Sequence, residues 1–347
     1  MSIVEVAKLA GVSFSTVSRV INGRPNVSPK KVEAVLRAMK EANYKPLHPS
    51  RRRGPNTRTR DGIHTQTVAM LFTGMKEKRL SNKPAMSDVM HSVQRCLAGH
   101  EMNMVAAFVD GPGDLPPVVS RGEIDGILVC GYQPSEELAM VLSSIPAVWV
   151  MSPHSGYSST VDCVYPDDEA IGKLAAEYLI GEGRKELVCL SGVHKYGGFG
   201  VRAEAFLRYG INNDADVEVI SVEDVGLDID DPGVEDLVHP AMIDRIAESE
   251  KAVTGIFLVT DLMAARTYRL LKERGVRPGE DVSIISFNKD DPQLESLSPR
   301  PMTIDINADD VAKCAVEQLL VRLSDGNGEY RARRRILIEP ELFEIKN

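Results

Sequence analysis

Short apolar runs alternate with amphipathic helical stretches along most of the chain, beginning at residue 67. The apolar runs predict buried strands, at residues 67–72, 104–108, 126–130 and 147–150, and again at 187–190, 217–220, 255–259 and 282–286. Helical spacing predicts helices at 86–97, 169–181, 201–209 and 262–274. Strands that are apolar on both faces and alternate with helices are typical of parallel sheets covered on both sides. Two such series predict an α/β body of two lobes, with ligands bound between them beyond the carboxyl ends of the strands.

The first 46 residues follow a different pattern, which predicts short packed helices. The first helix covers residues 3–10, and Gly11 provides the permissive backbone that a tight turn needs. Ser13 can cap a second helix at residues 14–22. The apolar residues that are spaced to pack these two helices together are Val6, Ala7, Ala10, Val12, Val17, Val20 and Ile21.

A third helix is predicted from Ser28 as N-cap and Pro29 at the first helical position, ending near Asn43. The start of the second helix carries residues that face away from the packed side, namely Phe14, Ser15, Thr16, Ser18 and Arg19. In a helix-turn-helix, residues at the start of the second helix meet the base edges in the major groove of DNA. The first 46 residues are therefore predicted to form a DNA-binding head.

The charge of the chain is divided in the same way. Residues 1–60 hold 13 Lys and Arg against 3 Asp and Glu, a net charge of +10. Because the whole chain carries −9, residues 61–347 carry −19. A basic head on an acidic body fits a DNA-binding domain joined to a regulatory domain, since the body repels the phosphate backbone and confines contact to the head.

Other protein classes find little support in the sequence. The cysteines show no C-x-x-C spacing, the histidines show no metal-ligand spacing, and no acid–base or nucleophile arrangement indicates an enzyme. We therefore expect no catalytic residue, metal or cofactor. Neither a signal peptide nor an apolar run of 18 residues is present, so we expect a cytoplasmic protein without membrane contact or disulfides. The scattered cysteines are Cys96, Cys130, Cys163, Cys189 and Cys314.

The head resembles the N-terminal domain of the lactose/galactose repressor (LacI) family. The matching motifs are V-A at 6–7, A-G-V-S at 10–13, T-V-S-R-V-I-N-G at 16–23, N-V-S at 26–28 and Y-K-P at 44–46. The resemblance implies that DNA is contacted by the turn, the second helix and the loop that follows. The residues implied are Ser13, Phe14, Ser15, Thr16, Ser18, Arg19, Asn22 and Asn26.

The body resembles the same family more loosely. The matching segments are V-Y-P-D-D-E-A-I-G at 164–172, R-A-E-A-F at 202–206, T-D-L-M-A at 260–264, E-D-V-S-I-I-S-F at 280–287 and P-E-L at 340–342. The resemblance implies two periplasmic-binding-protein-like lobes joined by three crossovers. We expect a helix-turn-helix domain at 1–46, a basic hinge containing Pro and Gly at 47–66, and an effector-binding and dimerisation domain at 67–347. Within that domain we expect the first lobe at about 67–164 and 302–330, and the second at about 165–301 and 331–347.

The resemblance also places effector-binding residues in the cleft. Arg202 is expected to fork onto effector hydroxyls or carboxylates, for which a planar guanidinium is suited. Asp261 is either a second effector residue or only the cap of the helix that it begins. Trp149 and Tyr196 could stack on a ligand ring, although single aromatic residues beside a sheet are more often part of the core.

Some cleft positions depart from the family pattern. Asn288 and Met151 stand where sugar-responsive members commonly have Asp, and Thr260 stands where the family has Asn. An amide both donates and accepts hydrogen bonds, whereas a carboxylate only accepts. These departures weaken the case for an ordinary hexose, and both Asn288 and Met151 remain candidate effector residues.

The hinge departs from the family as well. The family has a short helix here, whose Leu enters the minor groove, but this chain has Pro49 at that place and a Gly-Pro pair soon after. One interpretation is a disordered basic tether. The other is that Arg51, Arg52 and Arg53 lie as an extended arm in a narrow A·T-rich minor groove, whose negative potential attracts arginine.

The sequence thus predicts a homodimeric transcriptional regulator, in the first instance a repressor. It is expected to bind near-palindromic operator DNA and to respond to a small-molecule effector, for which a sugar or a sugar-derived metabolite is the first candidate. Two alternatives stay open: an effector-independent DNA-binding regulator, and a ligand sensor that resembles solute-binding proteins.

Overall fold

A computed structural model describes residues 3–13, 16–17, 20, 28–41, 62–75, 84–153, 156–191, 198–226, 238–248, 252–325 and 332–344 of the chain. The α-helices are α1 (Ile3–Ala10), α2 (Pro29–Glu41), α3 (Pro84–Gly99), α4 (Pro117–Ser120), α5 (Glu136–Leu142), α6 (Asp168–Gly181), α7 (Gly198–Asn212), α8 (Pro240–Ala247), α9 (Ala264–Glu273), α10 (Asp291–Leu294) and α11 (Ala308–Ser324). The strands are β1 (Thr67–Thr73), β2 (Asn103–Val109), β3 (Gly126–Gly131), β4 (Ala147–Val150), β5 (Asp162–Pro166), β6 (Glu186–Leu190), β7 (Asp216–Ile220), β8 (Gly255–Leu258), β9 (Ser283–Phe287), β10 (Met302–Asp305), β11 (Arg335–Ile338) and β12 (Glu341–Phe343). Each strand and helix predicted in the body is present, with its ends shifted by a few residues.

The described part of the head follows its prediction. Gly11 has a φ of +63°, a backbone conformation that L side chains rarely adopt, and it turns the chain after α1. Ser13 Oγ accepts a hydrogen bond from the backbone N of Thr16 at 3.2 Å, as an N-cap does. α2 begins at Pro29, directly after Ser28. The head has a core of its own, formed by Val6, Ala7, Val17, Val35 and Ala38, with Ala10, Val12 and Val20 packed against it. Of the predicted packing set, Ile21 lies outside the described residues.

The first lobe is built on a parallel six-stranded sheet of order β11-β5-β4-β3-β1-β2. Alternate residues of β1 face opposite sides of this sheet, and all but its first residue are buried. α3 and α11 pack together on one side. On the other side, Leu71 and Trp149 are buried in one cluster with Leu138 of α5.

The second lobe repeats this architecture with the order β12-β10-β9-β8-β6-β7, in which β12 alone runs antiparallel to its neighbour. α6 and α7 pack closely on each other beside the sheet. Their approach depends on Gly172, because a Cβ atom at that position would lie 2.2 Å from the carbonyl oxygen of Arg202. Gly172 thus allows α7 to lie close to α6, the helix with which the chain enters this lobe.

The chain crosses between the lobes three times, as the family resemblance implied. The crossovers follow β5, β10 and β11. The expected lobe limits were wrong at two strands. β10, which we placed in the first lobe, pairs with β9 of the second, whereas β11, which we placed in the second, pairs with β5 of the first. The reason is that ladder hydrogen bonds, and not position along the chain, assign a strand to its sheet.

Candidate functional site

Arg202 lies at the point where the ends of several strands meet between the lobes. It is on the first turns of α7 and is only 4% exposed. Its Nε donates to Oδ1 of Asp168 at 2.8 Å, and its Nη2 lies 2.7 Å from the same oxygen. Nη1 donates to the carbonyl oxygen of Val259 at 3.2 Å, and Nη2 to Oγ of Ser152 at 3.4 Å. Because Ser152 follows β4 of the first lobe, the guanidinium joins the two lobes.

Two aromatic rings of the second lobe stand beside this guanidinium. Its central carbon lies 4.0 Å from the ring centroid of Phe287, at the end of β9, and 5.5 Å from that of Phe199. A cation over an aromatic face is attracted by the quadrupole of the ring. The orientation of Arg202 is therefore fixed by polar contacts in its own plane and by packing against Phe287.

Local sequence explains why Asp168 is available to Arg202. The preceding residue, Asp167, caps α6: its Oδ1 accepts hydrogen bonds from the backbone N atoms of Glu169 and Ala170, each at 3.0 Å. The carboxylate of Asp168 is not needed for capping and is turned to Arg202. Gly198 leaves room for this pair, because a Cβ there would lie 2.7 Å from Asp168 Oδ1 and 2.8 Å from Arg202 Nη2.

Two of the positions that depart from the family pattern have unusual backbones. Asn288 has a φ of +124° and Met151 a φ of +72°. Such values are uncommon for residues other than glycine, and they cluster where function constrains the chain. Nδ2 of Asn288 donates to Oγ1 of Thr260 at 3.1 Å, so the substituted amide and hydroxyl pair with each other. Both follow strands of the second lobe, β9 and β8, at the same sheet edge as Val259.

Asp261 lies behind this edge, fully buried. It accepts hydrogen bonds from the backbone N of Asp290 at 2.7 Å and from Oγ1 of Thr303 at 3.0 Å. Burial raises the pKa of Asp261 to about 6, although these hydrogen bonds act in the opposite direction. The contacts hold β10 and the turn after β9 in place, which supports a structural role for Asp261. The expected helix cap was wrong, because the N-cap is Thr260, whose Oγ1 accepts a hydrogen bond from the backbone N of Leu262 at 3.4 Å.

Trp149 has a different position from the one expected of a stacking residue. Its side chain is completely buried in the core of the first lobe, 6.5 Å from the ring of Tyr157. Its Nε1 donates to the carbonyl oxygen of Ser152 at 3.4 Å. Trp149 therefore supports the turn that carries Ser152. Of the two alternatives, the structure favours a core residue over one that stacks on a ligand ring, because the side chain is completely buried.

Several predicted residues cannot be placed. Tyr196 and most of the predicted DNA contacts lie outside the described residues, namely Phe14, Ser15, Ser18, Arg19, Asn22, Asn26, Arg51, Arg52 and Arg53. Ser13 is exposed and Thr16 is half-buried, and their hydroxyls are hydrogen-bonded to each other at 2.9 Å.

The structure brings Arg202 and Asn288 to one edge and adds residues that sequence reasoning missed. Asp168 was included in a motif match but was interpreted only as part of the link between lobes, and Ser152 carried no signal of its own. Phe287 was noted only as part of the family motif. The available signal was the pair Asp167-Asp168 at the start of a helix that follows a strand. One carboxylate suffices for the cap, so the second is available for another role.

All five cysteines are free thiols. No cluster of three His, Cys, Asp or Glu side chains suitable for a metal ion occurs in the part of the chain that the structure describes. None of the helices among the described residues is both long enough and apolar enough to cross a membrane.

A helical, basic head joined to two α/β lobes defines a DNA-binding transcriptional regulator with a ligand-binding body. The family described as "Bacterial regulatory proteins, lacI family" matches residues 2–47, and "Periplasmic binding protein-like domain" matches residues 176–344. The chain is 30% identical to the HTH-type transcriptional repressor PurR of Vibrio parahaemolyticus over 100% of its own length and 98% of that protein. It therefore belongs to the LacI family of transcriptional repressors, and it is a regulator and not an enzyme.

Solved structures share the fold over the whole length of the chain. The transcriptional regulator CelR in complex with cellobiose has a TM-score of 0.67 at 22% identity, with 99% of this chain and 98% of that chain covered. The lac repressor dimer bound to operator and the anti-inducer ONPF has a TM-score of 0.61 at 19% identity, with the same coverage. These likenesses confirm the predicted fold class, a helix-turn-helix head with a two-lobed periplasmic-binding-protein-like body.

Proposed function

We propose that this repressor binds a near-palindromic operator as a homodimer and is controlled by a small molecule in the cleft between its lobes. The observation that carries the proposal is Arg202, whose guanidinium joins the strand ends of both lobes beside two strained backbone positions. A ligand at that place would contact both lobes, so its binding would change how they close. A sugar or a sugar-derived metabolite is the first candidate for this ligand. The repressor would act in the cytoplasm, where its operator DNA lies.

The effector proposal is tested by operator binding with and without candidate compounds. Replacing Arg202 by Ala would leave Asp168 buried without its partner, so Arg202→Lys is the better variant: it keeps the charge but loses the fork. We expect Arg202→Lys to retain operator affinity and to lose most of the effector response, because head and cleft are separate sites coupled through the lobes. Full response in this variant would remove Arg202 from the effector site, and no response of the native chain to any compound would favour an effector-independent regulator.

The DNA contacts are proposed from the resemblance of the head. Arg19 should fork onto a guanine and Phe14 should contact a thymine methyl group. Arg19→Ala is expected to cost about 1–3 kcal/mol of binding free energy and to relax base preference at one operator position. If the variant weakened binding to all sequences equally, Arg19 would be a phosphate contact. Sedimentation of the protein with operator DNA tests the dimer, and a strict monomer on the operator would contradict it.

The hinge is proposed to enter the minor groove through its three consecutive arginines. Replacing Arg51, Arg52 and Arg53 together by Ala should lower the salt dependence of binding by up to about three counterion units. It should also remove any preference for A·T pairs at the operator centre. A passive tether would lose some salt dependence but would leave the central base preference unchanged.

A further inference from the structure

The ion pair of Arg202 and Asp168 makes the polar centre of the cleft electrically neutral. Both side chains are about 95% buried, being 5% exposed each. Burying one charge without its partner is strongly unfavourable, so the pair stays together in the protein without effector. The guanidinium offers N–H donors and the carboxylate offers acceptor oxygens. The pair therefore presents both kinds of hydrogen-bonding group and no net charge.

Among the described residues, the groups that contact this pair carry no charge. The side chains that touch the guanidinium besides Asp168 are the hydroxyl of Ser152 and the ring of Phe287, and the remaining partner is the Val259 carbonyl. Next along the two strand ends are Thr260 and Asn288, which pair as hydroxyl and amide. These described residues thus form a neutral surface rich in donors and acceptors. Lys289, the residue after Asn288, is charged but is paired with Asp305 at 2.7 Å.

The fold holds Asp168 in place tightly. It begins α6 immediately after the first crossover, and the neighbouring Asp167 carries the capping function. On the side of the pair that faces α7, the backbone of Gly198 lies so close that there is no space for even a Cβ atom. Asp168 can therefore not swing aside towards α7 when a ligand arrives.

We propose that Asp168 is the residue that sets the charge of the effector: the cleft accepts an uncharged ligand with hydroxyl or amide groups and rejects a carboxylate or phosphate beside Arg202. This inference rests on the proposed effector site. A hydroxyl can accept from the guanidinium and donate to the carboxylate at once. An anionic group would either face the Asp168 carboxylate at close range or displace it from its buried partner, and both are unfavourable.

The ion pair is tested without knowledge of the natural effector, using formate as a small carboxylate probe. In Asp168→Ala the buried guanidinium loses its counter-charge and the volume of the carboxylate is vacated, so formate should bind in its place. We expect the melting temperature of the full-length variant to be below that of the native chain in chloride, and to rise by about 3 °C or more in formate at equal ionic strength. The native chain should gain less than about 1 °C.

Glu169→Gln is the matched control. It removes one negative charge at the adjacent position of α6, where the Glu169 side chain is 65% exposed and pairs with Arg208 at the surface. It should respond to formate as the native chain does. The double variant Asp168→Ala/Arg202→Gln, which carries neither charge, should be more stable than Asp168→Ala in chloride and should show no formate response. If Asp168→Ala does not fold in chloride, recovery of its folding in formate is the readout.

Ligand charge is tested directly on the native chain with matched pairs: cellobiose and cellobionate, galactose and galacturonate, glucose and glucuronate. The neutral member of any pair that binds should bind at least about tenfold more tightly than the anionic member. Tighter binding of an anion, or a formate response of the native chain equal to that of Asp168→Ala, would overturn the inference. If no compound changed operator binding, the proposed effector control would fail, while the formate result would still decide whether Asp168 blocks anions at Arg202.

Discussion

Asp290 connects the two lobes through a buried carboxylate, and this predicts an unusual dependence of stability on pH. It lies on the turn after β9 of the second lobe and is 2% exposed. Its Oδ1 accepts a hydrogen bond at 2.9 Å from the backbone N of Ala85, in the first turn of α3 of the first lobe. Burial, together with the nearby carboxylates of Asp261 and of Asp88 on α3, raises the pKa of Asp290 to about 7, while the N–H of Ala85 acts in the opposite direction.

The sign of the effect follows from proton linkage. An unfolded Asp has a pKa of 3.8, so between about pH 4 and 7 the folded protein holds a proton at Asp290 that the unfolded chain has lost. The free energy of unfolding should therefore be largest below this interval and fall as the pH rises through it, by up to about 1.4 kcal/mol per pH unit for one group. Summed over the interval, the loss approaches about 4 kcal/mol, and it is complete above pH 7.

Asp290→Asn isolates this effect. The amide keeps an oxygen that can accept from the Ala85 N–H, but it cannot ionise. We expect a shallower fall in unfolding free energy between pH 5 and 7. At pH 8 the variant should be more stable than the native chain by about 1–3 kcal/mol, because the loss of a charge-assisted hydrogen bond offsets part of the gain.

Urea unfolding at pH 5, 6, 7 and 8 measures these differences. Asp281→Asn is the control, since a side-chain hydrogen bond from Arg277 lowers the pKa of that surface carboxyl, which then titrates below the interval. A native chain whose stability is constant or rises from pH 5 to 7 would refute the reasoning. So would an Asp290→Asn variant with the native slope.

Three further outcomes are expected. In a urea titration, Gly172→Ala should cost about 1–3 kcal/mol of unfolding free energy, since its Cβ would lie 2.2 Å from the Arg202 carbonyl oxygen. Gly181→Ala in the same helix is the control: its Cβ would meet nothing within 4 Å, so this variant should be neutral or stabilising. Asp125→Asn should cost about 1–3 kcal/mol, because the buried carboxylate accepts from the backbone N atoms of residues 64, 65 and 67 where the chain enters β1; a change below about 0.5 kcal/mol would mean that water replaces it. Although burial alone would raise the pKa of Asp162, hydrogen bonds from Arg322, Arg334 and Gln318 lower it, so stability should be lost as the pH falls below about 4, and Asp162→Asn should remove that acid-side loss in a thermal melt.

Local features of the sequence were sufficient for most of the elements and for the described part of the head. The turn at Gly11, the cap at Ser13 and the start of α2 after Ser28 each depend on residues within one helical turn, which is why spacing alone predicted them. Eight of the strands were equally visible, because strands covered on both faces are rich in apolar residues. β5, β10, β11 and β12 were not predicted: each is only three to five residues long and includes polar residues or proline, which shortens its apolar run.

The site depended on contacts that no local pattern contains. Asp168 and Arg202 are 34 residues apart, and Ala85 and Asp290 are 205 apart. Trp149 is a core residue because β4 lies in the interior of its sheet, with β3 and β5 as neighbours, which its own sequence neighbourhood does not show. The sequence by itself determined most of the elements, the charge of the head and the residue types available to a cleft. Tertiary structure decided which of them meet, because partners across three crossovers are set by strand order and by the close approach of helices at Gly172, and neither leaves a periodic signal in the chain.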